Sequence, residues 1–288
     1  MKNRGDSTVA ATDVIVRNQK MKKYTFIIFF ISFIVVPLTI LAQESTRSIH
    51  VLVALCDNIN QGIVPVPPQL GDGQNPGKNL YWGALYGIKT YFKKASEWNL
   101  IKTINQPNKN ILERCIFRKK GSRIFLVADA YDGAKIENTI TDLFKSSSGL
   151  LRDTIKINNQ IIGIYGNSNL LTFIGHNGLM DFTFPSIQLE KSNKNVDVIV
   201  LACKSKSYFE PLILKTGSNP LLLTTGFMAP EAYTLKAAID GWANNENGDK
   251  IRLRAANAYH KYQKCSLKGA KSLFYTYKKG GKNENLCR

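Results

Sequence analysis

The sequence predicts an α/β fold: a three-layer sandwich with a mostly parallel sheet and helices on both faces. Short, nearly continuous apolar runs such as HVLVALC (50–56), RIFLVADA (123–130) and DVIVLA (197–202) read as strands buried on both sides. Segments with helical spacing alternate with them, as in a parallel sheet crossed by helices. The 288-residue chain without its first 42 residues leaves 246, enough for one large core, so residues 43–288 are expected to form a single α/β domain with a helical C-terminal part.

The elements follow in order. Residues 1–20 are polar and aperiodic and precede a second methionine, so they read as an upstream extension or a mis-called start. From Met21, a basic start (Lys22, Lys23), an apolar run from Thr25 to Ala42 and the polar QESTRS give the layout of a secretory signal peptide, 21–42, cleaved after Ala42. That layout predicts a secreted or periplasmic protein. The run is also long enough to remain as a membrane anchor if uncleaved; Pro37 and the small residue at its end fit processing better.

The first strand, 50–56, is followed by a loop over 57–79 too rich in Pro and Gly for helix, and of a length typical of functional lids or disordered segments. Leu80, Ala84, Ile88 and Phe92 recur every four residues behind Asn79, which predicts a helix over 80–95. Residues 111–120 and 123–130 read as strands split by Gly121-Ser122, and Ile136, Ile140 and Phe144 mark a helix ended by SSSG. A hairpin is expected within 154–167, and strands at 170–175, 197–202 and 220–226, with a helix near 208–216 between the last two. Leu235, Ala238, Ile239 and Trp242 share a helical face, and RLRAANAYHKYQKC continues the helical end.

Residues 1–42 carry six Lys/Arg and two Asp, so their removal leaves 33 basic against 19 acidic residues, a net charge of +14. Such a surface favours anionic partners or is simply solvated. No basic cluster is interleaved with a nucleic-acid motif, and no nucleic-acid partner is expected. Five cysteines in an oxidising compartment predict two bridges among Cys56, Cys115, Cys265 and Cys287, and one free thiol at Cys203. No CxxC or HxxxH spacing marks a metal site, and no cofactor is expected.

LLTFIGHNG (170–178) and VDVIVLACKS (196–205) each place a chemically active side chain just beyond a buried strand: His176 and Cys203. Ligands and chemistry in parallel sheets gather beyond the carboxyl ends of strands, and neighbouring strands about 4.8 Å apart bring imidazole and thiol together as base and nucleophile. The helix N-terminus after Cys203, with Lys204 and Lys206, favours its thiolate. The backbone amides of Cys203 and of Asn177 or Gly178 are the natural oxyanion donors. Taken singly, His176 also fits a turn histidine and Cys203 a small buried hydrophobe. Asp57 and Asn58 end a strand at the same edge, and Asp129 and Asp132 flank the end of another; each suits loop capping or helix starting as well as a pocket. His50 and His260 read as surface residues.

FIGHNG followed 27 residues later by VIVLACKS resembles the caspase, legumain and gingipain group of cysteine peptidases, clan CD, with its strand–His–Gly and strand–Ala–Cys–x–Ser. The resemblance covers about residues 48–245 in element order. It implies a caspase-like sheet, His176 as base, Cys203 as nucleophile, Gly178 at an oxyanion position, and a substrate pocket shaped by TTGFMAPEAY (224–233), with Thr225, Gly226 and Phe227 in it and Asp57 nearby. It also implies a peptide or protein substrate, with the membrane met only through an uncleaved N-terminal segment. Family members carry Gly directly after His; here Asn177 intervenes. The competing expectation is a non-catalytic, exported binding protein on the same sheet. A glutamine-amidotransferase-like hydrolase ranks last, because only His260 follows the cysteine and it lacks a Glu two residues on.

Overall fold

The computed structural model describes residues 45–184, 189 and 191–278. Among the described residues ten strands run in chain order: β1 (Arg47–Ala54), β2 (Trp98–Asn108), β3 (Ile111–Lys119), β4 (Ile124–Tyr131), β5 (Arg152–Ile157), β6 (Gln160–Tyr165), β7 (Leu170–Ile174), β8 (Asp197–Leu201), β9 (Asn219–Thr224) and β10 (Phe274–Tyr275). The helices are α1 (Ile88–Lys94), α2 (Ile136–Ser147), α3 (Ser205–Lys215), α4 (Ala232–Ala243), α5 (Gly248–Gln263) and α6 (Leu267–Leu273). Eight strands form one sheet in the order β10-β9-β8-β7-β1-β4-β3-β2, and β5-β6 form a separate hairpin. The central five, β9-β8-β7-β1-β4, are parallel; β10 at one edge, and β3 and β2 at the other side, pair antiparallel to their neighbours.

Alternation along the strands divides the core into two apolar layers. Ile49, Val51 and Val53 of β1 join a layer that includes Ile88 and Phe92 of α1, Leu235 and Ile239 of α4, and Ile251 and Ala255 of α5. Leu52 and Ala54 point the other way, into a layer with Ile140 and Phe144 of α2 and Phe209 and Ile213 of α3. Helices therefore cover both faces of a mostly parallel, mixed sheet. The hairpin closes the second face toward β3 and β4, where Ile162 and Ile164 meet Ile116, Phe125 and Val127.

The structure corrects several expectations. Only 88–94 of the expected 80–95 helix is helical. The Asn79 carbonyl takes the amides of Trp82, Gly83 and Ala84 in a tight turn, and the Asn79 side chain accepts from Tyr81 N–H and Cys56 N–H. Strand β2 escaped the sequence reading because it is a mostly exposed edge strand without an apolar run. His50 is not a surface residue: it is fully buried within β1. Its Nδ1 accepts from Tyr165 N–H at 2.9 Å, so its Nε2 donates to Asp129 Oδ2 at 2.9 Å. Asp129 is likewise no loop cap, since it is fully buried and also held by Arg114 Nε and Nη2 at 2.6 and 2.7 Å. Asp132 does act as a cap, accepting from Ala134 N–H.

No disulfide joins the cysteines among the described residues: Cys56, Cys115, Cys203 and Cys265 are free thiols. Cys115 is level with Ala128, which is level with Val51, whereas Cys56 lies five residues beyond Val51 and two strands across. At about 3.3 Å per residue and 4.8 Å per strand, that pair is well outside the roughly 7 Å Cα reach of a bridge. Cys287 and the expected signal peptide, 21–42, lie outside the described residues. Among the described residues no helix is long and apolar enough to cross a membrane.

Candidate active site

The carboxyl ends of β7 and β8 define the site. Ile174 and Leu201 are register partners on adjacent parallel strands. His176 and Cys203 each follow two residues later, so they share a level at the sheet edge. Gly175 makes the exit from β7: its φ of 152° suits glycine, and a Cβ there would approach the Ala54 carbonyl to 3.0 Å. On the β8 side, Ser205 and Thr224 fasten the turn. Ser205 Oγ donates to the Val200 carbonyl at 2.9 Å and accepts from Thr224 N–H at 2.8 Å, while Thr224 Oγ1 donates to the Ala202 carbonyl. Lys204, directly after the cysteine, has φ 51° in the left-handed region, a conformation unfavourable for a non-glycine residue.

Asn177 joins the two turns. Its Nδ2 donates to the Cys203 carbonyl at 2.7 Å, and its Oδ1 accepts from Leu179 N–H at 3.1 Å. This fully buried side chain fixes the spacing between the histidine and cysteine turns. The Gly178 amide donates to the His176 carbonyl at 3.1 Å and is thus used inside its own turn.

His176 Nε2 lies 2.6 Å from Asp181 Oδ2, which also accepts from Gly62 N–H at 3.1 Å. The long loop after β1 therefore reaches the carboxylate that holds the imidazole through Nε2. Sequence reasoning missed Asp181; its position five residues after the histidine, in GLMDF, was the available signal. Cys203 Sγ accepts from Met228 N–H at 3.4 Å and lies 3.6 Å from the Met228 carbonyl. No hydrogen bond joins His176 to Cys203 among the described residues. Lys206 and Lys204 do not pair with the thiol; their ammonium groups sit over the rings of Tyr275 and Phe227, at 3.9 and 4.6 Å from the centroids.

The other expected site residues divide. Phe227 is exposed beside the site, and the Gly226 carbonyl accepts from Lys204 N–H at 2.8 Å. Thr225 Oγ1 turns away to the Ser272 carbonyl at 2.8 Å. Asp57 is buried and folds its own loop, accepting from Ile59 and Asn60 amides and from the Asn60 and Gln74 side chains. Burial acts to raise its carboxyl, but these donors outweigh it and hold the group below the usual carboxylate range. Asn58 and Val66 exchange two hydrogen bonds across the same loop. Among the described residues no group of three His, Cys, Asp or Glu is arranged to hold a metal.

Comparison of the chain with protein-family models, curated proteins and solved structures gives no match.

Proposed function

We propose that this chain is an exported cysteine peptidase of the caspase-like type, hydrolysing peptide bonds with Cys203 and His176. The observation that carries the proposal is the common register of these two residues beyond adjacent parallel strands. The element order supports it: β1, long loop, α1, the strands β2 to β4, α2, the β5-β6 hairpin, then the histidine strand β7, the cysteine strand β8, and β9 with its loop. Export rests on the character of residues 21–42.

In the proposed reaction the Cys203 thiol gives its proton to the imidazole and its sulfur bonds to the scissile carbonyl carbon. The tetrahedral oxyanion is received by backbone amides, Cys203 and Asn177 being the candidates because Gly178 N–H is used in its turn. Collapse breaks the C–N bond as the imidazolium protonates the leaving amine, leaving a thioester. Water then gives a proton to the imidazole and its oxygen to the acyl carbon, releasing the acid and the thiol. Asp181 is a positioning residue that holds His176 through Nε2.

A non-catalytic binding protein on the same sheet is the second reading, favoured by the missing hydrogen bond between His176 and Cys203 and by the internal use of the Gly178 amide. Turnover of a broad peptide library separates the two. The peptidase reading expects Cys203→Ala to abolish hydrolysis and His176→Ala to lower it about 10²–10⁴-fold, both variants keeping the wild-type circular dichroism. Absence of turnover in wild type, or turnover indifferent to Cys203→Ala, favours the binding protein.

A further inference from the structure

Helices α1, α4 and α5 frame an aromatic groove that the proposed reaction does not use. Ile88 and Phe92 of α1 turn into the core, which leaves Tyr91 half-buried on the outer side. Tyr233, Lys236 and Asp240 follow one another at helical spacing on α4, and Lys261 and Tyr262 sit near the end of α5. Two hollows of about 330 and about 290 Å³ lie between these helices, and both are lined by Tyr91 and Lys236. Together they fall within the size of ligand clefts, about 300–1,000 Å³. Small side chains keep them open: Ala95 lines the first, Ala237 and Ala258 the second.

Four tyrosines make the wall. The Tyr233 and Tyr262 rings stack at 4.2 Å, and Tyr86 stands edge-on to them at 5.5 and 5.4 Å. Tyr91 Oη and Tyr262 Oη lie 3.0 Å apart, so whichever hydroxyl donates, the other keeps its proton for a ligand. Charges of both signs are set beside the rings. Lys236 Nζ is held by Asp240 Oδ2 at 2.8 Å and by Glu97 Oε1, and Asp240 Oδ1 also lies 4.0 Å from Lys119 Nζ. Lys94 lines the first hollow and Lys261 the second; both are exposed, and neither makes an ion pair among the described residues. Lys261 Nζ stands 5.7 Å from the centre of the Tyr262 ring.

We infer that this groove binds a saccharide chain with widely spaced carboxylates, as in a hexuronate polymer. Tyrosine rings offer apolar faces to the C–H faces of pyranose rings and hydroxyls to their oxygens. Sugar hydroxyls donate to Glu97 and Asp240, and the sugar carboxylates pair with Lys94 and Lys261, so the ligand uses both signs of charge. A densely anionic peptide would meet Glu97 and Asp240 as like charges. The groove shares no lining residue with the His176 and Cys203 turns, and the inference does not depend on the peptidase reading.

Calorimetry at low salt tests it by titrating the full chain with a hexasaccharide of alternating glucuronate and N-acetylglucosamine. Saturable binding is expected, weakened about tenfold in Lys94→Gln/Lys261→Gln and at least as much in Tyr91→Leu, which keeps apolar bulk but loses the ring and hydroxyl. Lys268→Gln/Lys271→Gln removes the same charge from exposed positions of α6 outside the groove and is expected to leave the affinity nearly unchanged. A peptide carrying the same number of glutamates is expected to bind more weakly than the saccharide. Circular dichroism checks each fold, and if Tyr91→Leu loses the wild-type spectrum the two lysine pairs decide alone. No binding of the hexasaccharide, equal weakening by both lysine pairs, or no effect of a folded Tyr91→Leu overturns the site. Tighter binding of the glutamate peptide overturns the saccharide as its ligand. Peptide hydrolysis, present or absent, moves none of these readings.

Discussion

At the scale of residues, the site depends on side chains that hold other side chains. His176 reaches its place through Gly175, whose backbone angle excludes most other residues, and keeps its orientation through Asp181. Replacing Asp181 with Asn retains size but lets the amide present a donor to Nε2, favouring the wrong ring orientation or tautomer. The expected result is a fall in kcat of at least about tenfold with KM unchanged; the partial exposure of Asp181 keeps the loss below the ~10⁴ known for a buried triad carboxylate. A purely structural Asp181 would instead move the melting temperature and leave the kinetic split absent. Asn177, which looked from the sequence like an insertion between His and Gly, is the bond between the two turns. That role was illegible in the sequence because it depends on the Cys203 carbonyl, 26 residues away.

At the scale of elements, the strands that build the site were legible because β1, β4, β7 and β8 are buried on both faces and therefore carry continuous apolar runs. The half-turned segment before α1 and the polar edge strand β2 were not, since neither has a run whose period sets its structure. Buried charge was the other blind spot. Arg114, Asp129 and His50 join β3, β4 and β1 beneath the β5-β6 hairpin; from the sequence His50 read as a surface residue, Asp129 as a strand-end polar residue, and nothing singled out Arg114. Burial alone raises the Asp129 carboxyl; the Arg114 fork and the His50 N–H outweigh it and hold it below the usual value. A depressed folded value means this contribution is present above the unfolded carboxylate value near 3.9 and is lost as pH falls through the folded one. Asp129→Asn leaves a buried guanidinium without its counter-charge and is expected to cost about 3–5 kcal/mol at pH 7. Urea unfolding from pH 7 to pH 3 checks this: the wild type holds the full contribution near neutrality and begins to lose it as pH approaches the unfolded carboxylate value near 3.9, and the variant lacks that acid-dependent loss.

At the scale of the whole molecule, the sheet organises chemistry by bringing residues far apart in sequence to one edge. The loop after β1 reaches Asp181, the turn after β7 carries His176, the turn after β8 carries Cys203, and the loop after β9 contacts the thiol through Met228. Free thiols elsewhere give this arrangement an internal control. Burial pushes the Cys56 thiol up to about 11 and the Cys115 thiol up to about 12, so both stay protonated and inert near neutrality. The decisive measurement is mass spectrometry of the native chain after brief exposure to a peptide bearing an electrophilic ketone at the scissile position. The account predicts one adduct, on Cys203, formed much more slowly in His176→Ala, with Cys56 and Cys115 unmodified. An adduct that forms at Cys265 instead, or at Cys203 with equal speed without His176, contradicts it.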